Sequence, residues 1–151
     1  MRTLIRRVSK ASVSVHREKI GEISKGLLIY VGIHRDDRVE DIAWIIKKLL
    51  GVKVFEDDSQ KMNLSVEAGN HGLLIISQFT LLASFKKGYR ASFHNAAPPP
   101  TAKVLYFQFI EILRKQYAGN IQTGGFGENM EIMAIDDGPY SLWLDSRMKN
   151  Y

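Results

Sequence analysis

Only two stretches of this sequence carry apolar residues at helical spacing, and that shortage of helix decides the fold class. Ile42, Ile45, Ile46, Leu49 and Leu50 keep a 3.6-residue repeat. Ala102, Leu105, Tyr106, Phe109 and Leu113 share one face of a second helix expected from about Thr101 to Tyr117, with Gly119 as its terminator. Asp37, followed three residues later by Glu40, resembles a capping box ahead of the first helix, and Gly51 stands where a C-terminal glycine belongs. Two helices are too few to cover both faces of a parallel sheet, so the sequence predicts α+β with a mixed, mostly antiparallel, barrel-like sheet.

Strands account for most of the rest. Val13-Ser14-Val15 alternates, and the Gly-bounded run Gly26–Ile33 has strand length, with turns expected at Gly21 and at Lys25-Gly26. Val52–Phe55 reads as a short strand before the polar loop Glu56–Lys61. Residues 73–82 form the most apolar strand and end in Ser77, Gln78 and Thr80. Two further strands, Met130–Ile135 and Tyr140–Leu144, are expected to join across Asp136-Asp137-Gly138-Pro139. No repeat or linker divides the chain, so residues 1–151 read as one domain. That length buries about 68–70% of the unfolded surface, enough for an ordinary core.

The inventory of side chains excludes several chemistries. Without cysteine there is no disulfide framework, thiolate metal site or Cys nucleophile. His16, His34, His71 and His94 show no metal-ligand spacing, so no metal site is expected. Gly124-Gly125-Phe126-Gly127 lacks the lysine and following helix of a phosphate loop. The longest apolar runs, Leu27–Val31 and Leu73–Ile76, fall far short of the ~20 residues that span a bilayer. The basic start Met1–Arg7 has no apolar signal region, so a cytoplasmic protein is expected.

Net charge is +5, from 21 Lys and Arg against 16 Asp and Glu. Residues 1–25 hold seven basic and two acidic side chains, and Lys86-Lys87-Gly88-Tyr89-Arg90 interleaves an aromatic with cations. Such patches attract phosphate backbones, although a charge of this size also serves solubility alone. Two segments stand out beyond charge. Ser77-Gln78-Phe79-Thr80 places hydrogen-bonding side chains directly after a buried strand, either to meet a ligand or because the strand leaves the core. Gly138-Pro139 reads by itself as ordinary turn punctuation.

Together these segments resemble one family. Arg7–Val13, Phe55-Glu56-Asp57, Lys61–Ser65, Ser77–Leu81, Lys87-Gly88 with Arg90 and Ser92-Phe93, Ala96–Pro99, Thr123-Gly124 with Phe126-Gly127 and Met130, and Asp137-Gly138-Pro139 follow in the order seen in D-aminoacyl-tRNA deacylases. The resemblance runs from end to end. It implies hydrolysis of the ester joining a D-amino acid, or glycine (including glycine mischarged on tRNA-Ala), to the terminal ribose of tRNA, with no cofactor. It implies a homodimer with active sites at the subunit interface. Ser77, Gln78, Phe79 and Thr80 would surround the scissile ester, with Thr80 a candidate nucleophile. Gly138-Pro139 would be cis and enter the partner's site, excluding L-side chains. Phe126 and Met130 would line the pocket for the amino group and adenosine, and Arg7, Lys86, Lys87 and Arg90 are candidate tRNA contacts. The family's usual Asn-Asp-Gly-Pro-Val-Thr reads Asp136-Asp137-Gly138-Pro139-Tyr140-Ser141 here, and Glu128 replaces a small residue. The competing reading is a non-catalytic nucleic-acid-binding protein using the same cations.

Overall fold

A computed structural model describes residues 1–150; the last residue of the expected 1–151 unit lies outside the described residues. The chain runs β1 (Arg2–Val15), β2 (Glu18–Ile23), β3 (Gly26–Gly32), α1 (Val39–Gly51), β4 (Phe55–Glu56), β5 (Met62–Leu64) and β6 (Gly72–Ser77). A 3-10 turn over Phe79–Leu82 follows, then α2 (Pro99–Gln116), β7 (Ile121–Thr123) and β8 (Met130–Asp145). The main sheet has the order β2-β1-β3-β6-β7, with β8 on the other edge of β1. β1 pairs antiparallel with β2, β3 and β8, whereas β3–β6 and β6–β7 are parallel. The architecture is therefore the expected α+β with a mixed, mostly antiparallel sheet.

The sheet curls until its far strands meet. A Cβ on Gly21 of β2 would lie 3.3 Å from the Thr123 carbonyl oxygen of β7, and one on Gly72 of β6 would lie 2.8 Å from Ile23 Cβ of β2. The result is a nearly closed barrel. Because a strand's side chains alternate, β3 and β6 each supply both faces of this wall. Leu27, Ile29, Val31, Leu73 and Ile75 pack with Ile42, Ile45, Ile46 and Leu49 of α1 and Tyr106, Phe109 and Leu113 of α2. Leu28, Leu74 and Ile76 face the other way and pack with Val8, Ala11, Val13 and Ile23. That double burial explains why these two strands are the uninterrupted apolar runs of the sequence. Tyr106 is buried and donates its hydroxyl to the Ile75 carbonyl at 3.0 Å, and burial raises its phenol pKa.

Several boundaries differ from expectation. Asp37 does not cap α1; it accepts from the His34 N–H at 2.7 Å and pairs with the Met1 ammonium at 2.5 Å. Arg38 occupies the N-cap, its N–H donating to the Asp41 carboxylate at 2.9 Å. Gly51 is the last helical residue. The first turn lies at His16-Arg17, both at positive φ, and Gly21 sits inside β2. The short strand after α1 is Phe55–Glu56, paired with β5. α2 starts at Pro99, since proline at the first helical positions lacks only an N–H that would be unpaired anyway.

The largest correction concerns the C-terminal hairpin. Met130–Ile135 and Tyr140–Leu144 are not two strands turning back on each other. Both belong to β8, and both pair with β1. Arg6 pairs with Ser141 and Val8 with Asp136, so Asp137–Tyr140 bulge out opposite Arg7 alone.

The β3–β6 seam is tightest where Gly26 pairs with Gly72. A Cβ at Gly26 would overlap the Gly72 backbone, whereas one at Gly51 would meet nothing within 4 Å. Gly26→Ala is expected to cost about 1–3 kcal/mol, as core overpacking does, and to lower the melting temperature by roughly 3–10 °C. Gly51→Ala should melt no lower than the parent. Thermal unfolding of the two variants side by side checks both expectations.

Candidate active site

Because β3, β6 and β7 are parallel, their carboxyl ends share one edge of the sheet. Ligands favour that edge in parallel sheets. A cleft of about 670 Å³ opens there, within the range of small-molecule sites. Its walls are Val31, Ser77, Gln78 and Phe79 at the strand ends, Pro98, Pro99 and Ala102 at the start of α2, and the segment Phe126–Met130.

The polar motif reaches the cleft by continuing the sheet for one rung. The Gln78 N–H donates to the Val31 carbonyl at 2.8 Å, after which the chain tightens into the 3-10 turn. The N–H groups of Phe79 and Thr80 open that turn and, as at any helical start, have no partner within it. Phe79 is 56% exposed and stands edge-on to Phe93, with ring centroids 4.9 Å apart. The Gln78 side-chain amide donates to the Thr80 hydroxyl. Thr80 itself is exposed and lies beside the cleft rather than in its wall.

The opposite wall is held by β7. The Gly124 N–H donates to the Ile75 carbonyl at 2.9 Å, extending the β6–β7 pairing into the glycine-rich segment. Gly127 turns the chain at φ +77°, a conformation that favours glycine. Phe126 packs against Tyr106 and Phe107 of α2, with centroids 5.5 and 6.3 Å apart. Ser77, Gln78, Phe79, Phe126 and Met130, singled out in sequence, thus line one cleft.

Two titratable residues of the wall, His94 and Glu128, received no role from the sequence. Ser92 Oγ and His94 Nδ1 lie 2.7 Å apart. The signal available was the block Ser92-Phe93 followed by Ala96–Pro99, which brackets His94 and leads into α2. Among the described residues, no three His, Asp or Glu side chains gather as a metal site would require, and no helix is long and apolar enough to cross a membrane.

Gly138 and Pro139 lie outside the cleft of their own chain. They form the exposed tip of the β8 bulge, joined by a cis peptide bond, with Gly138 at φ +125°. Asp136 at its base receives two hydrogen bonds from Arg6, at 2.9 and 2.6 Å, and this carboxylate raises the Arg6 pKa further. The charge introduced at position 136 is therefore paired.

Arg7, expected among the tRNA contacts, is only 5% exposed, and its guanidinium is occupied inside the protein. Nε donates to the Asp137 carbonyl at 3.0 Å and Nη1 to the Val54 carbonyl at 2.5 Å, and the group stacks on the Tyr140 ring. A phosphate could not reach it without breaking these contacts. Lys86, Lys87 and Arg90 are exposed on a loop pinched shut by reciprocal 2.9 Å hydrogen bonds between Ser84 and Ser92.

Known proteins share this build. A family model described as D-Tyr-tRNA(Tyr) deacylase matches residues 4–145. D-aminoacyl-tRNA deacylase of Syntrophobacter fumaroxidans is 46% identical, covering 97% of this chain and 98% of its own. That of Natranaerobius thermophilus is 44% identical over 99% of both chains. A solved structure described as c-Myc DNA Unwinding Element Binding Protein superposes with a TM-score of 0.92 at 36% identity, covering 96% of this chain and 98% of that one. Another, described as a probable eukaryotic D-amino acid tRNA deacylase, shares the fold with a TM-score of 0.81 at 18% identity, over 95% and 97%. Matched from β1 to the end of β8 and by near full-length relatives, the chain belongs to the D-Tyr-tRNA(Tyr) deacylase family.

Proposed function

We infer that this protein hydrolyses the ester joining a D-amino acid, or glycine, to the 3′-terminal ribose of tRNA, releasing the amino acid and the tRNA. The observation that carries the reading is the placement of Ser77-Gln78-Phe79 in the wall of a cleft, in a chain whose full-length relatives are D-aminoacyl-tRNA deacylases. An aminoacyl ester is already activated. Its hydrolysis needs an oriented oxygen nucleophile and donors for the developing oxyanion. The N–H groups of Phe79 and Thr80 supply such donors at the mouth of the cleft. Thr80 is held by a Gln78 amide, which is not a base, and an unactivated hydroxyl is a weak nucleophile. Water therefore attacks the ester carbonyl, positioned by Thr80, and the 3′-oxygen leaves with a proton. Attack by the neighbouring ribose 2′-OH would only move the acyl group to the 2′-oxygen, from which water must still release it.

Chiral selection on this reading requires two copies. The exposed Gly138-Pro139 tip enters the cleft of a second copy, where its carbonyl oxygens collide with the side chain of an L-amino acid. Steric rejection of this kind is indifferent to which D-side chain is present and admits glycine. Phe126 and Met130 contact the amino group and adenosine, while Lys86, Lys87 and Arg90 attract the tRNA backbone in the cytoplasm. A second reading, binding of nucleic acid without cleavage, is favoured by the 36% identical protein described as binding a DNA unwinding element.

Incubation with D-tyrosyl-tRNA and L-tyrosyl-tRNA, in chelator at low enzyme concentration, separates the two readings. Loss of the D-ester with the L-ester spared is expected; retention of both esters by a protein that still binds tRNA favours the second. Thr80→Val should keep turnover within about tenfold of the parent, because loss of one positioning hydrogen bond costs about 0.5–1.5 kcal/mol. An acyl group trapped on Thr80 would overturn the assignment of the nucleophile. Gly138→Ala places a Cβ at φ +125° against the Tyr140 ring and 3.2 Å from Arg7 Nη2. Backbone strain of about 1–3 kcal/mol predicts a roughly tenfold or greater loss of D-ester hydrolysis, read from initial rates.

A further inference from the structure

The bulge in β8 is fastened at both ends by one side chain. Asp137 begins the bulged segment and Tyr140 ends it, and Arg7 touches both. Its Nε donates to the Asp137 carbonyl at 3.0 Å and lies 3.2 Å from the Asp137 carboxylate. Nη1 is anchored to the Val54 carbonyl at 2.5 Å, before β4. These bonds use the edge of the planar guanidinium and leave its faces uncommitted. The Arg7 Cζ sits over the Tyr140 ring, 4.2 Å from its centroid, a separation that fits the ring lying against one of those faces.

Edge bonding and face stacking are geometrically independent, so a guanidinium can satisfy both at once. Each restrains what the other leaves free. The hydrogen bonds fix where the edge points but permit the plane to rock about them. A ring over the face stops that rocking and, because Tyr140 follows Pro139 directly, ties the far end of the bulge to the same anchor. The contact is partly desolvated, since the Arg7 side chain is 6% exposed and Tyr140 half-buried. Strand alternation keeps Ser141 and Trp143 on the more exposed side, so no neighbour of Tyr140 on β8 can take its place against Arg7.

We propose that Tyr140 is a positioning residue: its ring clamps the Arg7 guanidinium and thereby holds the Gly138-Pro139 tip in the pose that discriminates D- from L-aminoacyl esters. The proposal rests on the function inferred above. Tyr140 touches no reacting atom; it acts through Arg7. The hydroxyl is not part of the clamp, so the ring alone is required.

Three variants test it. Tyr140→Phe keeps the ring, Tyr140→Leu removes it, and Tyr140→Val removes it with a side chain suited to a strand should the leucine variant fold poorly. Each is assayed on D- and L-tyrosyl-tRNA. Nuclear magnetic resonance follows the Arg7 Nε–H shift and Gly138 amide exchange in the same proteins. Tyr140→Phe should keep the parental D-to-L rate ratio and the ring-shifted Arg7 signal. Tyr140→Leu or Tyr140→Val should lower that ratio by roughly 5–30-fold, lose the ring shift and speed Gly138 exchange, the scale set by one partly desolvated cation–π contact. An unchanged rate ratio and unchanged Gly138 exchange in the ring-less variants would overturn the proposal. So would a phenylalanine variant as impaired as the leucine one, since the hydroxyl would then be the active part. If the parent cleaves neither ester, the inferred function fails, and with it the role in discrimination; the exchange data then decide the clamp alone.

Discussion

Everything that positions the cleft depends on the parallel seam between β3 and β6. Both strands are covered on both faces, so their side chains join the helical core on one side and the interior of the curled sheet on the other. A fully buried Leu, Ile or Val contributes about 1.5–3 kcal/mol, and this seam concentrates such residues at register positions that directly oppose one another. Its parallel sense has a functional consequence. Two adjacent strands end at the same edge, Val31 beside Ser77, and the next hydrogen bond in line is the one that carries Gln78 to the cleft. An antiparallel pair would have sent one of these ends to the opposite edge.

A second constraint comes from β1, which carries β8 along one edge over almost its full length. Long ladders resist insertions, because a slip of one residue turns every side chain to the wrong face. Four residues are nevertheless accommodated opposite Arg7. Pairing resumes with Ser141 opposite Arg6, and burial alternates again from Tyr140 onward. Arg7 supplies what the interrupted ladder lacks at that point, a donor for the Asp137 carbonyl. This is why a cation on the sequence's most basic stretch is buried: its charge is matched by Asp137 and by backbone carbonyls, while neighbouring Arg6 is matched by Asp136.

Helices and doubly buried strands were legible in the sequence because their signals are local. Ile42–Leu50 and Ala102–Leu113 announce a period, and Leu73–Ile76 announces burial on both faces. The Ser77-Gln78-Phe79 part of the site was legible for a similar reason, since polar side chains directly after a buried strand mark its end. What was not legible depends on partners remote in sequence. Asp37 and Glu40 have capping spacing, but the ammonium of Met1 takes Asp37 and the cap passes to Arg38 and Asp41. Gly138-Pro139 has turn composition, yet β1 holds both flanking segments in one strand, and no local rule reports that. Arg7 looked like a surface cation because neither Val54 nor Tyr140, both far along the chain, is visible from its neighbours. β7 was missed because Ile121–Thr123 is three residues long and is a strand only by virtue of β6 beside it.

The same geometry bears on why the inferred reaction would use backbone groups rather than ionisable side chains for selection. A side chain that rejected one hand of an amino acid by charge or hydrogen bonding would also discriminate among side chains of the accepted hand. A backbone turn presents carbonyl oxygens whose position is independent of the substrate's side chain, provided the turn is rigid. Rigidity cannot come from the glycine and proline alone, because the tip is exposed and stands clear of its own cleft. It has to be imported from the sheet beneath. The import runs through one buried guanidinium that bonds to the start of the bulge, to the segment before β4, and to an aromatic ring at the end of the bulge. Selectivity at the tip would then be set by residues that never meet the substrate, and changes at position 140 would alter discrimination while leaving the cleft itself intact.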